Sequence, residues 1–307
     1  MPEGKPKCSW WSLFKSTCAE WSDDRALRFS AALAYYAVFS LAPVLIIAVS
    51  LAGFFFGEQA ARGEIFQQLS NLVGASAATE IQGLIMASGD KPKSTMAAAI
   101  GIVTLLIGAS GVFGQLKDAL NTIWGVRINP GAALRQFLRE YLLSFGMILA
   151  IGLLLILSLL ITTTMTVLSH SAIGLASIPG LAAPVTELLS FVLMTLLFAV
   201  IYKVLPDVEL HWKDVRVGAL LTGLLFAVGK YLIALYLTTS SIGSSFGAAG
   251  ALILVLTWIY YSTVIFFFGA EFTKVYSREC GAGITPKRHA TFVTKEMRVE
   301  QGVEKSA

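Results

Sequence analysis

Long stretches of this 307-residue chain contain no charge at all. No Asp, Glu, Lys or Arg occurs in residues 29–57, 94–116, 141–186, 217–229 or 231–270. A helix needs about 20 apolar residues to cross the hydrocarbon core of a bilayer. The runs of 46 and 40 residues are therefore each longer than one span. Turn-forming residues break the first at Ser169-His170-Ser171, Gly174 and Pro179-Gly180, and the second between Thr238 and Ser245. The pattern predicts six spans, at about 30–57, 96–116, 141–167, 184–203, 216–238 and 248–272. The expected fold class is all-α, a polytopic membrane helix bundle.

Three flanking segments follow other patterns. In residues 10–28, Trp10, Leu13, Phe14, Cys18 and Trp21 share one helical face, which suits an amphipathic helix at the membrane interface. In residues 58–95, Ile65, Leu69 and Leu72 make one stripe, and Ile81, Leu84 and Ile85 another. That segment is expected as an outer cap of short helices lying on the membrane. Residues 278–307 are polar without a period and are expected as a flexible cytoplasmic tail. The chain thus divides into residues 1–28, a membrane domain at 29–277, and the tail.

Composition agrees. The chain is 56% hydrophobic and only 14% charged, against roughly a quarter charged in soluble domains. That excludes a soluble enzyme, and the apolar content excludes a disordered chain. A net charge of +4 is too small to imply a nucleic-acid partner; its distribution matters more. Nineteen of the 23 Lys and Arg fall at the two ends and in the second–third and fourth–fifth connections. Only Arg62, Lys91 and Lys93 fall on the other side, and Lys230 lies within a span. The bias predicts both termini in the cytoplasm. Cys8, Cys18 and Cys280 then all face a reducing compartment and are expected as free thiols. The first 28 residues carry nine charges and lack the apolar core of a cleavable signal.

Ionisable groups inside spans are the first functional candidates, because hydrocarbon penalises them. Lys230 lies 14 residues after Arg216, and Glu187 lies 16 residues before Lys203. Both are thus roughly 21–24 Å from the cytoplasmic end. Either the two approach each other, or each reaches water separately. Glu271, three residues before Lys274, is either an interface charge supported by that lysine or part of a passage. A seam of Gly101, Thr104, Gly108, Gly111 and Gln115 runs along the second span. It is either a tight helix contact or the wall of a passage. Pro43 is a candidate hinge, although membrane helices also tolerate proline structurally.

Enzyme signals are weak. The three histidines are far apart, and neither His-Glu-x-x-His nor Cys-x-x-Cys occurs. Gly229-Lys230 is followed by Tyr231, so it is no phosphate-binding loop. No catalytic residue, metal site or cofactor is expected, and any energy source is a gradient or a partner.

Several segments carry a family resemblance. Ala31-Ala32-Leu33-Ala34-Tyr35-Tyr36 followed by Phe39-Ser40-Leu41-Ala42-Pro43 is one. Leu120-Asn121-Thr122-Ile123-Trp124 is another, and so is Tyr202-Lys203-Val204-Leu205-Pro206-Asp207 with Trp212 and Gly218-Ala219. Gly247-Ala248-Ala249-Gly250, Trp258-Ile259-Tyr260-Tyr261 and Gly269-Ala270-Glu271 complete the set. Over residues 25–277 the chain resembles the BrkB/YihY family of bacterial inner-membrane proteins. The resemblance implies a six-span inner-membrane protein, linked by family name to virulence and suspected of moving envelope lipids or other solutes. It implies membrane lipids as surroundings and an anionic lipid or solute as candidate substrate. The alternative is a non-transporting scaffold for envelope integrity. An older label, ribonuclease BN, finds no support, since the chain lacks a metal-ligand cluster and a dense basic surface. No nucleic-acid partner is expected, and oligomeric state is left open.

Overall fold

The computed structural model describes residues 9–38, 111–128, 182–239 and 248–293, together with helical positions 63, 66, 79, 82 and 83. Its elements, in chain order, are helices α1 (Trp10–Asp23) and α2 (Ala26–Val38), then a helical stretch α3 over 111–123. Strand β1 (Val126–Ile128), helix α4 (Ala182–Val204) and strand β2 (Val208–Glu209) follow. The chain continues with α5 (Trp212–Thr239), α6 (Ala248–Glu279), β3 (Thr285–Pro286) and β4 (Ala290–Phe292). Among the described residues, three helices are long and apolar enough to cross a membrane: Glu187–Val204, Trp212–Ile233 and Leu252–Glu279. They coincide with the fourth, fifth and sixth expected spans. Most of the first two spans, all of the third, Pro43, Gly101, Thr104, Gly108 and the greater part of 58–95 lie outside the described residues.

The sequence explains where these helices begin and end. Pro184 sits in the first turn of α4, where a missing N–H costs nothing. Pro206 follows its end. In α5, Asp214 occupies the first turn, where an acid suits the helix dipole. The 32 residues of α6 contain no proline, and Arg278 stands in its last turn. Gly125, with φ 65°, ends the helix–strand turn after α3 and donates to Thr122 O at 3.0 Å.

The chain forms two compact units. The first comprises Met1–Ala26, Lys117–Ala227 and Phe266–Ala307. Within it, Leu13, Phe272 and Val275 form a core against Val217, Leu221, Tyr276 and Cys280. Antiparallel α5 and α6 meet there through a reciprocal clasp. A Cβ on Gly218 would run into Thr273, and one on Gly269 would run into Thr222 and the Tyr202 hydroxyl. The two glycines and two threonines repeat at i, i+4 on each helix, the small-residue spacing that brings membrane helices close. The Tyr202 hydroxyl donates to Phe266 O at 2.7 Å. The second unit comprises Leu27–Leu116 and Val228–Ile265. There Ile233 and Leu254 pack with Trp258 and Tyr261, and a Cβ on Gly229 would stand 2.5 Å from Ile265 Cδ1.

The helices leave apolar rows exposed: Leu188, Val192 and Leu196 on α4, Leu220, Leu224, Val228 and Leu235 on α5, and Leu252 and Leu256 on α6. Such rows would aggregate a protein in water; in a bilayer they face lipid.

The structure departs from expectation in three places. Residues 10–28 do not form one helix. α1 stops at Asp23, and Arg25 takes a left-handed φ of 54° before α2 starts at Ala26. The fully buried side chains of α1 are Leu13 and Thr17, while Trp10 and Trp11 keep most of their surface exposed. Second, the segment after Arg278 is folded as far as Val293. β4 pairs antiparallel with β1 (Val126 opposite Phe292), and β3 with β2 (Val208 opposite Pro286). Val293 N–H extends the first ladder to Gly125 O at 2.9 Å. These backbone pairs, and the side chains described below, hold a segment that composition alone marks as a tail. Third, Cys18 is free but Cys280 is disulfide-bonded, against the expectation of three free thiols. Cys280 packs against the core of Leu13, Phe272 and Val275.

Candidate functional site

α6 carries two ionisable groups one turn apart, Glu271 and Lys274, and α1 crosses them. Trp10 stacks on Phe272 at 6.3 Å, and Phe14 and Trp21 lie against Phe268 at 6.0 and 6.3 Å. This aromatic seam sets the crossing. It brings the polar continuation of the α1 packing face, Glu20 and Asp24, over α6. The spacing Leu13, Thr17, Glu20, Asp24 keeps all four on one face.

Lys274 Nζ is the centre. It lies 2.8 Å from Asp24 Oδ2, 2.8 Å from Glu20 Oε2 and 3.2 Å from Glu271 Oε2. Arg278 adds a bond of 2.6 Å to Glu20 Oε1 from a half-exposed position. Asp24 and Lys274 are buried, and Glu271 is 0% exposed. Burial pushes the Glu20 carboxyl up, but Lys274 and Arg278 outweigh it and hold Glu20 below the usual carboxylate range. Five charged groups so close, at the end of an apolar helix, are costly unless paired.

A second polar node ties the ends of α3, α4 and the C-terminal strands. Asp207 Oδ2 accepts from Asn121 Nδ2 and lies 3.0 Å from Lys117 Nζ, while His289 Nε2 reaches Oδ1 at 2.9 Å. Asp207 N–H donates to Asn121 Oδ1, and Lys287 N–H donates to Asp207 O. Burial raises the Asp207 carboxyl; the bonds from His289 and Asn121 and the Lys117 charge outweigh it and hold it below its ordinary value. Asp214 plays a similar part at the end of α6, accepting from Ser277 Oγ at 2.9 Å and Ala282 N–H at 3.1 Å. Lys203 Nζ donates to Leu210 O.

Of the sequence candidates, Glu271 falls inside the ion cluster. Glu187 is exposed on α4 in the first unit. Lys230 is half-buried on α5 in the second unit, with Nζ 5.0 Å from the Tyr231 ring centroid. Gly111 packs on Tyr36, where a Cβ would stand 2.9 Å from Cδ1, and Gln115 is half-buried one turn on. At Gly111 the seam is a packing contact. Glu20, Asp24 and Asp207 were missed as site residues. The signal for the first two was available: they continue the period of Leu13 and Thr17. Asp207 had none, since Asn121 and His289 lie 86 and 82 residues away. Among the described residues no group of His, Cys, Asp and Glu is arranged to hold a metal.

Residues 17–293 match the family described as Virulence factor BrkB. The chain belongs to that family. The match runs past the 25–277 read from the sequence and takes in α1 from Thr17 and both C-terminal strands. Similar proteins are UPF0761 membrane proteins. That of Ralstonia nicotianae is 27% identical over 253 residues, covering 81% of this chain and 55% of the relative. The chain therefore spans little more than half of that relative's length. Those of Pseudoalteromonas translucida (26% over 272 residues; 88% and 86%) and Alteromonas mediterranea (27% over 268 residues; 85% and 85%) are matched along most of both chains. No solved structure matches this BrkB-family chain.

Proposed function

We propose that this BrkB-family membrane protein is a transporter or exporter of an anionic envelope lipid or solute, and not an enzyme. It crosses the bacterial inner membrane six times, with both termini in the cytoplasm. The observation that carries this reading is the Glu20–Asp24–Glu271–Lys274 cluster between α1 and the end of α6, with Asp24, Glu271 and Lys274 buried. A helix that only anchors or packs gains nothing from charges that hydrocarbon penalises, whereas transporters use them to bind and to couple. Lys230, half-buried in the fifth span, supplies a cation that an anionic head group can meet. A scaffold for envelope integrity would use the Gly–Thr clasp equally well but leaves the ion cluster without a purpose. The cation count sets the orientation, and the Cys280 disulfide then lies on the reducing side, where such bonds are transient or redox-sensing.

The test is reconstitution in liposomes with a panel of fluorescent lipids and anionic solutes. Wild type should move at least one of them faster than protein-free vesicles, and Lys230→Ala and Glu187→Ala should slow that flux. Flux of nothing in the panel, or flux untouched by either substitution and by Glu271→Gln, contradicts the proposal.

A further inference from the structure

Counting hydrogens in the ion cluster leaves one missing. Lys274 has three N–H donors, and all three are spent, on Glu20 Oε2, Asp24 Oδ2 and Glu271 Oε2. Arg278 serves Glu20 Oε1. Glu271 Oε1 is fully buried and has no hydrogen-bond partner among the described residues. Lys274 Nζ, 2.8 Å from Asp24 Oδ2 and 3.2 Å from Glu271 Oε2, holds the two carboxyls side by side, and two carboxylates cannot bond each other without a hydrogen between them. With every group ionised, Glu20, Asp24 and Glu271 face Lys274 and Arg278 with a net charge of −1, while Glu279 meets Arg278 from the solvent side at 3.5 Å. One proton on Glu271 supplies the missing hydrogen and brings the charge to zero.

We propose that Asp24 and Glu271 form a proton-binding site, one exchangeable proton being held between their carboxyls beside Lys274, and that uptake and release of this proton couple to transport. The coupling rests on the transport reading above; the proton site stands without it. A metal cation is the wrong ligand here, because the Lys274 ammonium already occupies the position that these oxygens offer a cation. The groups facing the pair are Glu20 from α1 and Lys274 and Arg278 from α6. α5 packs on the same core through Val217 and Leu221, and its Asp214 is turned to Ser277 and Ala282. When the proton leaves to water, two buried carboxylates repel across one ammonium, and the hold of α1 on α6 weakens. When it returns, the contact is restored.

The experiment is pH-difference infrared spectroscopy of the purified full-length chain in lipid nanodiscs, paired with flux measured across a pH series. A protonated carboxylic-acid carbonyl band is expected in wild type. It should vanish on alkalinisation, be absent in Glu271→Gln, shift in Asp24→Asn and persist in Glu187→Gln. No such band in wild type, or one retained by Glu271→Gln, overturns the site. If Glu271→Gln does not fold, an unshifted band in Asp24→Asn overturns it. Wild-type flux should vary by up to about tenfold per pH unit and be flat in Glu271→Gln. Flux that remains pH-dependent in that variant overturns the coupling. The band present in wild type with no flux of any probe overturns the coupling and the transport reading but leaves the proton site standing.

Discussion

Lys274 and Arg278 sit one turn apart on the same helix and touch the same glutamate, yet their surroundings give them different weights. Lys274 is buried and bonds three carboxylates; Arg278 is half in solvent. Removing one partner from a buried ion cluster leaves uncompensated charge, at a cost of about 3–5 kcal/mol. An exposed pair is worth under about 1 kcal/mol. Lys274→Met should therefore lower the thermal midpoint in detergent steeply, and Arg278→Ala should barely move it. Asp207 gives a residue-scale pH dependence. Its folded carboxyl titrates below its ordinary 3.8. The stability it contributes is then fully present above about pH 4 and is lost as pH falls through the lower folded value. Acid titration followed by Trp124 fluorescence should show a transition below pH 4 that Asp207→Asn removes. A transition unchanged in that variant would assign it to other carboxylates.

At the scale of elements, the clasp between α5 and α6 makes a sharp comparison. Gly269→Ala drives a methyl into Thr222 and Tyr202, and overpacking of this kind costs about 1–3 kcal/mol. Gly114→Ala meets nothing within 4 Å and should be neutral or gain up to about 1 kcal/mol in helix propensity. Unfolding midpoints of the two variants check this, and equal losses would deny the clasp. Elements were legible where length and periodicity carry them. The long, predominantly apolar stretches located α4, α5 and α6, because a bilayer demands about 20 such residues in a row. The end of α6 was not legible. The helix runs to Glu279, seven residues past the expected span end at 272, and there meets acids of α1 that no local pattern reveals. The break at Asp24-Arg25 rests on one left-handed residue. The C-terminal strands, two and three residues long, are too short for periodicity and are set by Asp207 and its distant partners.

For the whole molecule, the family and its membrane character were legible from motif order and charge-free runs; the ion cluster was not, except for Glu271. Orientation can be read through Cys280. With both ends in the cytoplasm, Cys280 in cells quenched with acid and a thiol blocker should be found mostly reduced. A fully oxidised Cys280 would put the ends on the oxidising face. The most direct test of the central claim, that the charges between α1 and α6 exist for function and not for the fold, is flux through the triple variant Asp24→Asn/Glu271→Gln/Lys274→Met, which leaves Glu20 paired with Arg278, at matched folding. Replacing a buried ion pair as a unit is often neutral for stability. The account predicts a thermal midpoint near that of wild type together with abolished flux. A folded triple variant that moves substrate as fast as wild type would contradict it.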